Sequence, residues 1–292
     1  MIKNAYQLVL YFLFLSLGMF ITADVSAQEL YKLNRTEVHT IGAKASGRTY
    51  RVFVKLPYDY NRAASRTKKY PVIYTNDGPF PFKIAASVTH ARVMDKAIVI
   101  GLSYAQGEKG MHSRVRDLTP IKNDQWVRFE TGGADQFIEF MEKDLFPFVE
   151  NKYRINKEER IYAGQSLGGL FGAYVLLKRP ELFKGYILTS PSLWFFNKGI
   201  FDIEKDYANN HKDLKANLYL ATGSFEAKKY GAEYDMADDM AAFALQLRSR
   251  NYPNLKVFDE VIQGTIHENT FPVGFSKGLY WHYSDQYKSM IK

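Results

Sequence analysis

The stretch RIYAGQSLGGLFGAYVLLKRPELF, residues 160–183, decides the fold because its pattern changes in the middle. A short apolar run ends at Gln165, and a longer apolar stretch typical of a helix follows Ser166. Ser166 stands between Gly164 and Gly168, which completes the pattern Gly-x-Ser-x-Gly. At a strand-to-helix junction this pattern forms a nucleophile elbow, a strained turn that exposes the serine. The pattern alone occurs by chance in roughly one chain in ten of this length, so its setting must support it.

The rest of the chain supplies that setting. Residues 36–57 alternate and break at a glycine-containing turn, which predicts an antiparallel hairpin. Short apolar runs then alternate with helical stretches, and these runs are YPVIYTNDG, KAIVIGLSY, ERIYAGQS, KGYILTSP, ANLYLATGS and LKVFDEVI. The order predicts an α/β fold: a mostly parallel central sheet with an antiparallel N-terminal hairpin and helices on both faces. Ligands in such sheets bind beyond the carboxyl ends of the strands, so residues just after each strand are the candidates.

Three helices can be predicted from the apolar spacing. The clearest covers residues 133–153, where Pro147 should kink or shorten the helix. The others cover residues 234–252 and 273–291. With no internal repeat or linker, residues 28–292 are predicted to form a single catalytic domain.

The N-terminus has the features of a secretory signal peptide. Lys3 precedes an apolar run from Leu8 to Ile21, and Val25-Ser26-Ala27 provides a small-x-small cleavage site. The alternative, an uncleaved anchor helix, is disfavoured because the run is shorter than the ~20 residues that span a bilayer. We expect residues 1–27 to be removed after Ala27, which predicts a periplasmic or secreted protein without stable membrane insertion.

Composition excludes several classes of function. The chain has 292 residues with 46% apolar and 24% charged side chains, as in ordinary globular proteins. It contains no cysteine, which excludes disulfides, thiol catalysis and cysteine-bound metals. Its formal charge of +8 favours anionic ligands, but the basic residues are scattered, so no nucleic-acid partner is expected.

A serine nucleophile needs a base, and His267 follows the last predicted strand in the sequence VIQGTIHENTFP. The acid that orients the histidine should lie between them in the chain, after the strand ANLYLATG. Glu226 is the leading candidate for this acid, and a dyad without a fixed acid remains open. The other candidate acids, which suit a helix N-terminus better, are Asp235, Asp238 and Asp239.

The remaining assignments are the donors to the oxyanion and the histidines that are not expected to act as the base. The Leu167 N–H at the helix start is one expected donor, and Gly78 or Phe80 supplies the second because Pro79 has no N–H. HENTF lacks the second histidine of a zinc motif, so no metal or other cofactor is expected. Structural roles are expected for His39, His90, His211 and His282.

These residues belong to longer segments that resemble a known family. Five segments are similar, in this order, to segments of the putative-esterase family of α/β hydrolases. They are YPVIYTNDG, SRVRDLTP, GGADQFIEFMEKDLFPFVENKYRI, AGQSLGGLFGAYVLLKRPELFKGYILTSPSLWF and HENTFPVGFSKGLYW. The similarity is greatest to the branch of trilactone esterases that open siderophores of the enterobactin type. It implies Ser166 as nucleophile, His267 as base and Glu226 as acid.

The same resemblance implies a substrate site beside the serine. Arg114 would hold an anionic or catecholate oxygen, or pair with Asp117, and Arg116 would have a structural role. Trp194 would form a pocket wall or pack in the core.

Three functions follow from the sequence as hypotheses. The first is a serine carboxylic-ester hydrolase that acts on a small-molecule ester, a catecholate siderophore that could carry iron, through an acyl-enzyme. The second is an acetyl or feruloyl esterase that acts on plant polysaccharide. The third is a binding protein with the hydrolase fold and an inactive triad.

Overall fold

The computed structural model describes residues 31–91 and 94–284. The predicted signal peptide and the end of the predicted last helix lie outside these residues. Contacts divide the chain into two units, Met1–Asn34 and Arg35–Lys292. The fold described below is that of the second unit.

Eight strands form one sheet, in the order β1-β2-β4-β3-β5-β6-β7-β8. The strands are β1 (Thr36–Gly42), β2 (Thr49–Lys55), β3 (Tyr70–Thr75), β4 (Ile98–Ala105), β5 (Ile155–Gln165), β6 (Gly185–Thr189), β7 (Ala216–Gly223) and β8 (Leu255–Ile262). Strand β2 is antiparallel to β1 and to β4, and the remaining pairs are parallel. The predicted fold class is confirmed, and β6, whose residues are all buried, lies inside the sheet as its continuous apolar sequence requires.

The helices follow the strands as predicted for alternating β and α elements. They are α1 (Pro79–Val88), α2 (Gly110–Leu118), α3 (Ala134–Phe140), α4 (Phe146–Lys152), α5 (Leu167–Lys178), α6 (Phe195–Asn210), α7 (Met236–Ser249) and α8 (His267–His282). Helix α5 is buried from Leu167 to Leu177, which explains why its sequence is apolar on every side. Within the described ranges, no helix is both long enough and apolar enough to cross a membrane.

The boundaries of two predicted helices differ from expectation. The helix predicted over residues 133–153 is divided by a π-helical turn at Met141–Leu145. Pro147 lies directly after that turn, and Leu145 and Phe146 before it keep helical φ and ψ. Helix α8 begins at His267, six residues before the predicted start, although Pro272 lies inside it.

Candidate active site

Ser166 occupies a strained turn between β5 and α5. Its φ of 60° and ψ of −122° lie in a region that side-chain-bearing residues rarely adopt. A Cβ atom on Gly164 would lie 2.4 Å from the Gly168 carbonyl oxygen, and one on Gly168 would lie 2.7 Å from Asn76 Oδ1. Both glycines are therefore required by close packing around the serine, as the Gly-x-Ser-x-Gly pattern predicts.

His267 and Glu226 lie together at the same edge of the sheet. The His267 Nδ1 atom is 2.7 Å from Glu226 Oε2, and the imidazole is 38% exposed whereas the carboxylate is 5% exposed. Gln165, the residue before Ser166, donates a side-chain hydrogen bond to the His267 carbonyl. The histidine is thus held by its ring to the acid and by its backbone to the turn that carries the serine.

Three donors hold the other carboxylate oxygen of Glu226. Its Oε1 accepts hydrogen bonds from Ser190 Oγ at 2.6 Å, from the Gly223 N–H at 2.8 Å and from Thr270 Oγ1 at 2.9 Å. Burial alone would raise the pKa of Glu226, but hydrogen bonds from His267, Ser190 and the Gly223 N–H keep this pKa below its ordinary value. The acid is therefore held ionised beside the histidine.

The other candidate acids have structural contacts. Asp235 caps α7 by accepting a hydrogen bond from the Asp238 N–H at 3.2 Å, and Asp238 lies exposed in the first turn. Asp239 pairs with Lys198 at 2.6 Å. These contacts agree with the prediction that the three aspartates suit a helix N-terminus.

The histidines expected to be structural also have partners elsewhere. His39 contacts Glu37 and Tyr153, and three others contact backbone carbonyls: His90, His211 and His282. Burial lowers the pKa of the His282 imidazole to about 4, so it stays neutral at physiological pH.

The predicted oxyanion donors differ in whether their N–H groups already have a partner. The Gly78 N–H donates to the Leu102 carbonyl at 2.9 Å, which contradicts the predicted role of Gly78 because this donor is already engaged. Leu167 and Phe80 lie in the first turns of α5 and α1, where N–H groups have no partner within the helix. The register pairs Thr75 with Ala163, so residues 76–80 leave the sheet beside the serine turn.

Arg114 has a partner that was not predicted. Its Nε donates to Asp77 Oδ1 at 2.6 Å, and the Tyr104 hydroxyl donates to the same oxygen at 2.9 Å. Arg116, rather than Arg114, pairs with Asp117, at 2.8 Å. Arg114 is thus fixed at the end of β3 through Asp77, beside the loop that approaches the serine.

Trp194 belongs to an aromatic cluster on the loops after the strands. Its ring stacks on Tyr234 with centroids 3.8 Å apart and planes inclined by 4°, and it lies 6.2 Å from Trp126. Trp194 is partly exposed, so the cluster combines core packing with a flat surface. Packing of Trp194 against the core is therefore observed, and its role as a pocket wall stays a prediction.

The sequence interpretation missed four residues that contact Ser166, His267 or Glu226. They are Gln165, Ser190, Ser192 and Thr270. The signal for two of them was present, because Ser190 lies near the end of the predicted strand run KGYILTSP and Ser192 directly follows it, at the position where functional residues were expected. The Ser192 Oγ atom lies 3.3 Å from Ser166 Oγ.

The fold and the site define an α/β hydrolase with a serine on a strand-to-helix turn. The family model described as "Putative esterase" matches residues 43–261. The chain belongs to this family, and it is a carboxylic ester hydrolase.

Several relatives are similar over most of their length. The ferri-bacillibactin esterase BesA of Bacillus subtilis is 32% identical over 65% of this chain and 71% of that protein. The siderophore triacetylfusarinine C esterase of Aspergillus fumigatus is 26% identical over 82% of this chain and 90% of that protein. The crystal structure of the BES protein from Bacillus cereus superposes with a TM-score of 0.74 at 27% identity, covering 86% of this chain and 95% of that one.

Proposed function

We propose that this protein hydrolyses an ester bond of a siderophore through a Ser166–His267–Glu226 triad. The observation that carries the proposal is the position of His267, whose Nδ1 lies 2.7 Å from Glu226 and whose backbone is bonded to the residue before Ser166. Glu226 fixes the ring so that Nε2 is the nitrogen available to a proton from the serine.

In the first half of the reaction, Ser166 Oγ forms a bond to the ester carbonyl carbon and its proton passes to His267. The carbonyl oxygen becomes an oxyanion that accepts hydrogen bonds from the N–H groups of Leu167 and Phe80. The bond to the alkoxy oxygen then breaks, and His267 returns the proton to the leaving alcohol. Water hydrolyses the resulting acyl-enzyme by the same steps in reverse.

The substrate class is supported by the relatives and by the groups near the serine. Two curated relatives are named for siderophore esters, ferri-bacillibactin and triacetylfusarinine C. The stacked rings of Trp194 and Tyr234 offer a flat aromatic face, which suits a catecholate group. The formal charge of +8 favours the anionic ferric complex.

Two measurements test the proposal. In the first, Ser166→Ala abolishes p-nitrophenyl ester turnover with an unchanged thermal unfolding midpoint, and a fluorophosphonate probe labels the wild type but not the variant. Retained turnover in the variant would exclude Ser166 as the nucleophile, whereas a wild type that the probe does not label would indicate a binding protein with an inactive triad.

The second measurement compares ferric catecholate triesters with acetylated xylan and feruloyl esters. We expect linear siderophore fragments to be released with the highest kcat/KM. Faster release of acetate or ferulate would overturn the substrate assignment and leave the serine mechanism intact.

A further inference from the structure

The segment at the end of β6, Thr189-Ser190-Pro191-Ser192, contacts both ends of the proposed triad. Ser190 and Ser192 are 0% and 1% exposed, so their hydroxyls are enclosed by protein. The backbone joins this segment to the serine turn twice, because the Ser166 N–H donates to the Thr189 carbonyl at 3.1 Å and the Ser192 N–H donates to the Ser166 carbonyl at 3.0 Å. The two serine side chains nevertheless reach different members of the triad.

Ser190 binds the acid Glu226. Its hydroxyl donates to Glu226 Oε1 at 2.6 Å, and its N–H donates to the Ala221 carbonyl at 2.7 Å. The φ of Ser190 is 41°, a left-handed value that is unfavourable for a serine. Such strain persists only where surrounding contacts enforce it, and it directs the hydroxyl to the carboxylate.

Ser192 contacts the proposed nucleophile, Ser166. Its Oγ lies 3.3 Å from Ser166 Oγ, and either hydroxyl can be the donor. When Ser166 directs its proton to His267, the Ser192 hydroxyl can donate to the lone pair that remains on Ser166 Oγ. That hydrogen bond would orient the attacking oxygen, and it would support the same oxygen when it leaves during hydrolysis of the acyl-enzyme.

We infer that Ser190 and Ser192 are positioning residues with separate tasks, Ser190 holding the acid Glu226 and Ser192 holding the nucleophile Ser166. The inference rests on the proposed triad. Because the two hydroxyls come from one short segment, their substitutions are matched controls for each other.

Ser192→Ala removes the hydroxyl and keeps the backbone bond to the Ser166 carbonyl. We expect kcat and the rate of fluorophosphonate labelling each to fall about fivefold, the size of one lost hydrogen bond. The pH at which kcat/KM falls on the acid side should not move. Ser192→Thr, which restores a hydroxyl, should recover most of the rate.

Ser190→Ala removes one donor from Glu226. Among the described residues, His267 is the titratable side chain that contacts Glu226. The Glu226 carboxylate also accepts hydrogen bonds from Thr270 and from the Gly223 N–H. Loss of a donor raises the pKa of the carboxyl, so the acid limb of kcat/KM should move to higher pH. Ser190→Gly also lacks the hydroxyl but relieves the left-handed strain, and it should shift the limb equally.

The outcomes separate the inference from the proposed function. If the probe does not label Ser166 in the wild type, the triad itself is wrong. If it labels Ser166, but Ser192→Ala keeps the wild-type labelling rate or Ser190→Ala keeps the wild-type acid limb, the corresponding positioning role is wrong and the triad stands. Unchanged thermal unfolding midpoints show that each variant is folded.

Discussion

Two carboxylates at the same edge of the sheet have similar burial and different partners. Glu226 is 5% exposed and contacts the imidazole of His267, whereas Asp77 is 11% exposed and contacts the guanidinium of Arg114. An imidazole can gain and lose a proton near neutral pH, and a guanidinium cannot. The two carboxylates therefore hold different groups: Glu226 holds one that can transfer a proton, and Asp77 holds a loop and a permanent charge.

The largest expected effect comes from Glu226→Gln. The three donors on Oε1 require an oxygen there, so the amide nitrogen of glutamine would face His267 Nδ1. The histidine would then carry its proton on Nε2, where it cannot act as a base. We expect kcat to fall by about 10⁴-fold, measured with a p-nitrophenyl ester.

Asp77→Asn is the matched change in the second carboxylate, and it should leave kcat within about tenfold of the wild type. Equal losses in the two variants would show that the two carboxylates do not differ in role.

The next effect concerns the backbone near Asp77. Phe80→Pro removes one N–H in the first turn of α1, a position where proline fits the helix. If this N–H binds the oxyanion, kcat should fall by about 10²-fold. Phe80→Ala keeps the N–H and removes only the ring, so its kcat should stay near the wild-type value. Full activity in the proline variant would exclude Phe80 as the donor.

The smallest effect is on stability. Asp77→Asn leaves Arg114, which is 16% exposed, without its anionic partner, and asparagine tolerates the φ of 75° at this position. We expect the free energy of unfolding, from urea titration, to fall by about 1–3 kcal/mol.

Asp124→Asn is the control. It breaks the ion pair between Lys122 and Asp124, whose side chains are 78% and 84% exposed, so the free energy of unfolding should change little. A similar loss in both variants would mean that the Asp77 pair is no stronger than a surface pair.

The sequence was sufficient for features that depend on local patterns. The alternating segment predicted β1 and β2, the apolar runs predicted β3 to β8, and the glycines around Ser166 predicted the turn. Glu226 and His267 could be proposed from their positions after β7 and β8, because parallel strands end at one edge of the sheet.

Features that depend on distant contacts were less accessible. The Arg114 partner was missed because Asp77 lies in the loop after β3 whereas Arg114 lies on α2, and no local spacing joins the two residues. The engagement of the Gly78 N–H by Leu102 depends on the pairing of the loop with β4, which the sequence does not reveal. The hydroxyls of Ser190 and Ser192 are small polar groups that become informative only when their neighbours are known.

The stack of Trp194 on Tyr234 joins the segment that contacts Ser166 to the segment that follows Glu226. Trp194 lies two residues after Ser192, and Tyr234 follows Glu226 in the segment that leads to α7. The ring stack therefore ties the chain on one side of the serine to the chain that follows the acid. A substitution at Trp194 would act on both segments at once.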